Sequence, residues 1–358
     1  MSISANHKIS IRIKRILVIQ LGDIGDIVWA IPAFCSVSAA FPQAALSVLT
    51  RKPNGDLLLD DHNIKNVFQI GEDGRFSELR LIKRLRQEKF DLVFDLRADD
   101  RGAITAYLSG AKIRAGLYYP GLKWRNLMFT HLVQPAPAQD RIRGAAEQSL
   151  KIIRGFGIEA VISTPRILVT ERIQNTIKEF LLREKIESKI GWVSINPFSR
   201  WTYKEWSTDK WRQLALFVWQ KYEMPILIIG SAEEKQRADE LASAGYSPMY
   251  NIAGQISLRD VAGLLQRSIL HIGVDSAAPH IAAAVGTPTL TIYGPSDWQD
   301  WSPPGDKNKV VLPDMDCSPC YQKGCHGSGR SECLENLTVT KVQNAVEKMI
   351  DDLVLFKS

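Results

Sequence analysis

Residues 15–26 read Arg15-Ile-Leu-Val-Ile-Gln-Leu-Gly-Asp-Ile-Gly-Asp26, an apolar run that passes directly into a turn with two glycines. The run predicts a buried strand, and the glycines predict a tight turn into a helix whose first amides favour anions. The spacing is not Gly-x-Gly-x-x-Gly, so it does not support a nicotinamide cofactor. Asp23 and Asp26 lie in this turn, where either is a candidate general base or only caps the helix.

Short apolar runs of the same kind recur in two series, separated by stretches with helical patterns. They are Arg15–Leu21, Leu46–Leu49, Asn66–Ile70 and Asp91–Leu96, then Trp192–Ile195, Pro225–Gly230, Ile269–Val274 and Thr289–Gly294. Near-continuous apolar strands that alternate with helices indicate parallel sheets covered on both faces. We therefore predict an α/β protein with two doubly wound, Rossmann-like domains, 1–175 and 190–338, facing across a cleft where ligands bind at the carboxyl ends of the strands.

Composition and charge narrow the class of protein further. Of the 358 residues, 45% are hydrophobic and 23% are charged, which is typical of a globular protein. Residues 1–190 contain 29 Lys and Arg against 20 Asp and Glu, whereas residues 191–358 contain 16 against 19. The basic half predicts an anionic partner, with a solvated basic face as the alternative. The basic amphipathic stretch 78–89 leaves the same choice, between a solvated helix and contact with an anionic membrane.

The sequence also bears on nucleic-acid binding and on the cellular compartment. The basic residues lack a motif with interleaved aromatic side chains, so we expect no nucleic-acid partner. No apolar run has the length of a signal peptide's apolar region or of a membrane span, so we expect a cytoplasmic protein.

The stretch Asn196–Trp206 begins the second domain with hydroxyl and cationic side chains. It holds Ser199, Thr202 and Lys204 between a predicted strand and a helix, where a lysine can balance the charge of a departing phosphate. The nearby tryptophans are interpreted as packing residues, with sugar contact as the alternative: Trp201, Trp206 and Trp211.

A second polar turn lies within the stretch 271–294. A strand ends at Asp275-Ser276, and a helix of small residues follows, so exposed amides there are suited to pyrophosphate oxygens. His280 in the first turn of that helix either contacts the ligand or is a structural residue. Glu233 and Glu234 follow the preceding strand and either hold ribose hydroxyls or are solvated.

Four of the five cysteines lie close together in sequence, in a segment rich in Pro and Gly: Cys317, Cys320, Cys325 and Cys333. Such spacing is compatible with a structural zinc site, with disulfides in an oxidising compartment, or with free thiols.

The sequence resembles the bacterial heptosyltransferases of glycosyltransferase family 9 from Arg15 through the C-terminal helix. It looks most like the branch that adds the side heptose of the inner core, heptosyltransferase III. The motifs that carry the resemblance are Gly22-Asp-Ile-Gly-Asp26, Asp91-Leu-Val-Phe-Asp-Leu-Arg97, Trp201-Thr-Tyr-Lys-Glu-Trp206, Val274-Asp-Ser-Ala-Ala-Pro-His280, Gly286-Thr-Pro288 and Tyr293-Gly-Pro-Ser296.

The resemblance implies a GT-B fold whose last helix, 339–358, crosses back to the first domain. It implies inverting transfer of a heptose from ADP-heptose to the lipid-linked inner core of lipopolysaccharide, without a catalytic metal. It also implies peripheral attachment to the inner face of the inner membrane. The open alternatives are a family member with another nucleotide sugar or polysaccharide acceptor, and a non-catalytic protein that binds a sugar nucleotide or a glycolipid.

The resemblance also implies roles for individual residues. Asp26 matches the general base, and Gly25 and Arg97 are expected to contact the acceptor beside it. Lys204 matches the lysine that stabilises departing ADP. The usual residues at 276 and 277 are Thr and Gly, which leaves the donor less defined. The residues expected to bind the donor are Ser199, Thr202, Lys204, Glu233, Ile256, Asp275, Ser276, Ala277 and His280.

Overall fold

The computed structural model describes residues 12–71, 76–97, 99–134, 145–188, 190–243, 245 and 247–355. The chain divides into two compact units, one ending at Leu168 and one beginning at Val169. The helix at 171–183 therefore belongs to the second unit, although we expected the first domain to extend to residue 175.

The first unit contains one parallel sheet with the strand order β3-β2-β1-β4-β5-β6. Its strands are β1 (Arg15–Ile19), β2 (Ala45–Arg51), β3 (Asn66–Ile70), β4 (Leu92–Asp95), β5 (Ile113–Leu117) and β6 (His131–Val133). Its helices are α1 (Ile24–Ala40), α2 (Ser77–Gln87), α3 (Asp100–Leu108), α4 (Lys123–Asn126) and α5 (Ala145–Gly155), with a 3-10 turn at Asn54–Leu58.

The second unit repeats this topology, since its order is β9-β8-β7-β10-β11-β12 when read from the other edge. Its strands are β7 (Val193–Asn196), β8 (Ile226–Ile228), β9 (Met249–Asn251), β10 (Leu270–Val274), β11 (Thr289–Ile292) and β12 (Asn308–Val311). Its helices are α6 (Glu171–Arg183), α7 (Thr208–Tyr222), α8 (Lys235–Ala242), α9 (Leu258–Gln266), α10 (Ala277–Ala284), α11 (Trp298–Trp301), α12 (Glu332–Asn336) and α13 (Val339–Leu355), with 3-10 turns at Thr202–Lys204 and Cys325–Gly327.

Both orders are the doubly wound Rossmann arrangement, so the predicted α/β class with two such domains is confirmed. The central strands are almost fully buried because helices cover both faces of each sheet. In each unit the strand order reverses between the two central strands: β1 and β4, then β7 and β10. Ligands of such sheets bind beyond the carboxyl ends of these strands.

The C-terminal helix α13 packs into the core of the second unit. Val342, Val346 and Ile350 are fully buried there together with residues of β7, β10 and α7. The crossing of this helix to the first domain stays a prediction. Within the described part of the chain, no helix combines the length and the apolar character needed to cross a membrane.

Candidate functional site

In the first unit, the turns after β1 and β4 bring Asp26 and Arg97 together. Asp26 Oδ2 lies 2.7 Å from Arg97 Nη1 and accepts a 2.9 Å hydrogen bond from the backbone N–H of Asp23. Asp26 is the third residue of α1, so its carboxylate also satisfies an amide at the helix start. Its side chain is 27% exposed, so this cap stays accessible to a ligand.

Gly22 leaves the space that this ion pair occupies. A Cβ on residue 22 would lie 2.7 Å from Arg97 Nη1 and closer still to Asp26 Oδ2. The carbonyl of Gly22 accepts a 3.0 Å hydrogen bond from Asn54 Nδ2, which fixes the turn from a third element. Gly25 lies half-buried in the first turn of α1.

In the second unit, Lys204 and Asp275 meet at the carboxyl ends of β7 and β10. Lys204 Nζ lies 2.6 Å from Asp275 Oδ2, and the two side chains are 22% and 12% exposed. Ser199 Oγ donates a 3.3 Å hydrogen bond to the carbonyl of Asp275, which joins the two turns.

The start of α10 adjoins this pair. Ser276 precedes the helix in extended conformation, and its hydroxyl donates to Asn196 Oδ1 at 2.8 Å. Ala277, half-buried, is the first residue of α10, so it adds no side chain that would shield the helix amides. Thr202 lies exposed in the 3-10 turn that carries Lys204. Most of the predicted donor residues around Lys204 thus come from adjacent strand ends.

His280 lies in the first half of α10 and is buried. Burial lowers its pKa to about 4; Asp275 opposes this shift and Lys204 adds to it. A neutral imidazole at pH 7 can donate one hydrogen bond and accept one, but it brings no charge to a phosphate.

Glu233 and Ile256 lie at the ends of β8 and β9, further along the same sheet edge. The pKa of the exposed Glu233 is lowered by its own backbone amide and by the Ser231 hydroxyl. The turn that holds the half-buried Ile256 packs on the turn after β8, since the N–H of Gly254 donates to the carbonyl of Gly230 at 3.1 Å. These residues therefore lie on the β8 side of the Lys204 turn.

A cavity of about 360 Å³ opens beside Lys204 and Asp275. Its lining is Tyr203, Lys204, Asp275, Pro295, Ser296, Asp297, Trp301, Tyr321 and Gln322. Lys204 and Asp275 are the two predicted donor residues in this lining. The sequence motif Tyr293–Ser296 pointed to part of the remainder, but no periodic signal identified Trp301, Tyr321 or Gln322.

The three nearby tryptophans differ in environment. Trp206 and Trp211 are buried and pack edge to face with their ring centroids 5.4 Å apart, as the packing interpretation predicted. Trp201 is 44% exposed and stacks on Tyr203, so packing does not account for it.

The structure does not support the predicted zinc site at Cys317, Cys320, Cys325 and Cys333. All four are free thiols, and the described residues contain no group of three or more His, Cys, Asp or Glu placed to hold a metal ion. Cys333 belongs to the apolar core, and burial raises its pKa to about 11, whereas Cys317 is exposed.

Comparison with known proteins places these features in one family. The family model "Glycosyltransferase family 9 (heptosyltransferase)" matches residues 78–329. Lipopolysaccharide heptosyltransferase 3 of Escherichia coli K12 is 27% identical over 292 residues, which are 78% of this chain and 82% of that protein.

Solved structures of low identity share the fold. The E. coli ADP-heptose lps heptosyltransferase II superimposes with a TM-score of 0.75 at 18% identity, over 96% of this chain and 100% of that one. The E. coli heptosyltransferase WaaC with ADP-2-deoxy-2-fluoro heptose gives a TM-score of 0.69 at 17% identity, over 93% and 99%. These likenesses identify the fold as GT-B.

Proposed function

This chain belongs to glycosyltransferase family 9, and from that premise we propose that it transfers a heptose from ADP-heptose to the inner core of lipopolysaccharide. The curated relative with 27% identity is named for that class of reaction, and a structural neighbour was solved with a fluorinated ADP-heptose. The acceptor and the inversion of the anomeric carbon are part of the proposal.

The Lys204–Asp275 turn is the observation that carries this proposal. A diphosphate needs a cation and free backbone amides, and here an ammonium group lies beside the start of α10. Asp275 pairs with this ammonium and so positions it at the end of β10. Lys204 then offsets the charge that develops on departing ADP, so the proposed reaction requires no metal at this step.

Asp26 is the proposed general base. Its carboxylate accepts hydrogen bonds from Asp23 and Arg97 through Oδ2, and among the described residues Oδ1 has no hydrogen-bond partner. In the proposed reaction an acceptor hydroxyl oxygen bonds to the anomeric carbon while its proton passes to Asp26. The bond between that carbon and the ADP oxygen breaks, and ADP leaves with the electron pair.

The replacement Asp26→Asn tests this function most directly. An amide keeps an oxygen to accept the Asp23 N–H and so preserves the helix cap, but it accepts no proton. We expect transfer to core acceptor to fall by at least about a hundredfold. Binding of ADP-heptose, measured by titration calorimetry, should be unchanged.

Asp23→Asn is the matched control, because it changes the same charge in the same turn at a side chain that is 60% exposed. It should retain nearly full turnover. Equal turnover in Asp26→Asn and wild type would remove Asp26 from the mechanism. Transfer assays of the wild type with a panel of nucleotide sugars would show whether it uses another donor. Binding of ADP-heptose without turnover on any core acceptor would favour a non-catalytic binding protein.

We also propose that the enzyme works at the inner face of the inner membrane, where a lipid-linked acceptor would be presented. Exposed cations on α2, including Arg80, Lys83 and Arg86, support contact with anionic lipid.

A further inference from the structure

The strand order assigns different parts of the sheet edge to different parts of a nucleotide sugar. Glu233 follows β8, Lys204 follows β7, Asp275 follows β10 and Ser296 follows β11, and these strands are neighbours in that order. With the diphosphate at the central pair, a nucleoside over β8 leaves the β11 side for the transferred sugar. The cavity beside Lys204 extends to that side, since residues 295–297 line it.

A short segment, Cys317–Gln322, is fastened to the turn after β11, and we call it the clasp segment. Ser318 Oγ donates to the carbonyl of Gly294 at 2.6 Å, and the backbone N–H of Tyr321 donates to the carbonyl of Pro295 at 2.8 Å. The Tyr321 hydroxyl donates to Asp297 Oδ2 at 2.6 Å. Tyr321 has a φ of +59°, unusual for a bulky residue, so these bonds hold a costly backbone conformation at the cavity.

Asp297 is fixed from two directions. Its Oδ1 accepts the backbone N–H groups of Gln299 and Asp300 at 2.9 and 3.3 Å, which caps α11, while Oδ2 binds Tyr321. The capped helix carries Trp301, which is 38% exposed, and Tyr321 is 69% exposed. Two accessible aromatic rings and one oriented carboxylate therefore line the same cavity.

This combination suits a sugar ring. The C–H faces of a sugar pack on aromatic rings, and its hydroxyls need oriented acceptors. A volume of about 360 Å³ is at the low end for small-molecule sites, so it fits one sugar and an adjoining phosphate better than a whole nucleotide sugar.

We propose that Tyr321 of the clasp segment, Trp301 and Asp297 form the subsite that selects the transferred sugar of the donor. Tyr321 and Trp301 pack against the sugar ring, and Asp297 accepts a hydrogen bond from a sugar hydroxyl. The proposal rests on the proposed function, because it requires a nucleotide-sugar donor at the Lys204 turn.

The test compares ADP with ADP-heptose as ligands. Tyr321→Ala removes the ring and the bond to Asp297, whereas Tyr321→Phe removes only the bond. We expect Tyr321→Ala to weaken ADP-heptose binding by about tenfold and Tyr321→Phe by less, with ADP binding unchanged in both. Tyr321→Ala should also reduce the preference for ADP-heptose over ADP-glucose in transfer assays.

Tyr222→Phe is the matched control, because the Tyr222 hydroxyl also donates to a carboxylate, Asp351 at 2.9 Å, away from the cavity. It should change neither ligand's affinity. Equal loss of ADP and ADP-heptose binding in Tyr321→Ala, a change confined to acceptor KM, or no change would each overturn the sugar subsite. A wild type that binds no ADP-linked sugar would instead overturn the proposed function.

Discussion

At the scale of single residues, the Asp26–Arg97 pair depends on the absence of a side chain at Gly22. A methyl group there would displace Arg97 Nη1 or the Asp26 carboxylate, and neither move is free, because both groups are fixed by hydrogen bonds. Overpacking of this kind costs about 1–3 kcal/mol. The geometry of the proposed base is thus determined by its neighbours as much as by Asp26 itself.

We therefore expect Gly22→Ala to lower kcat by about tenfold or more, because small misplacements of a catalytic group have large effects. Thermal unfolding should also occur at lower temperature. Gly121→Ala is the control: its φ of +89° makes alanine strained, but a Cβ there meets nothing within 4 Å. It should lower the unfolding temperature and leave kcat intact. A normal kcat in folded Gly22→Ala protein would contradict the role of this spacing.

At the scale of elements, β10 and α10 each bury a histidine in the second unit. Burial lowers the pKa of His271 from 6.5 to about 3 and that of His280 from 6.5 to about 4. His271 also lies 3.0 Å from the Ser194 hydroxyl of β7. Below pH 6.5 the unfolded chain binds protons at both sites while the folded chain does not, so stability falls as the pH is lowered.

The slope for each histidine should approach about 1.4 kcal/mol per pH unit near pH 5 and should be smaller toward pH 6.5 and toward pH 4. Unfolding free energies from urea titrations at several pH values would measure it. His271→Asn keeps a polar partner for Ser194 but does not titrate, so its slope should be shallower than that of the wild type. Equal slopes would show that His271 does not contribute, whatever carboxylates do in the same range.

The strands show how far the fold could be predicted from the sequence. The central strands were predicted because two covered faces require continuous apolar runs. β5, β6, β9 and β12 were missed: they lie at or next to the sheet edges, and β6 and β9 have only three residues each. Edge strands are partly exposed, so they carry little hydrophobic pattern to detect.

At the scale of the whole molecule, some site residues could be predicted from the sequence and others could not. Asp26, Lys204 and Asp275 follow central strands, where the end of an apolar run predicts a turn at the ligand edge. Trp301 and Tyr321 come from the part of the chain after β11, and hydrogen bonds to residues 294–297 hold the clasp segment at the cavity. A segment that folds back to a cavity in this way leaves no periodic pattern in the sequence. The sequence alone therefore could not place these two residues at the site.

The basic excess lies in the first half of the sequence, and α2 exposes part of it. Leu81 and Leu85 anchor this helix in the first unit, while Arg80, Lys83 and Arg86 are exposed and Leu79 is 67% exposed. An exposed leucine beside cations is the composition of helices that lie in a lipid interface. Each surface cation contributes about 1 kcal/mol toward an anionic bilayer, and salt screens this attraction.

We therefore expect vesicles that contain phosphatidylglycerol to bind the full chain at low ionic strength and to release it in salt. The double replacement Arg80→Glu and Lys83→Glu should weaken sedimentation with these vesicles by at least about tenfold. Arg172→Glu with Lys178→Glu on α6 makes the same change in net charge on exposed residues of the second unit, and it should bind nearly as well as the wild type. Equal weakening by both pairs would mean that net charge alone acts, and absence of wild-type binding at low salt would leave α2 as a solvated helix.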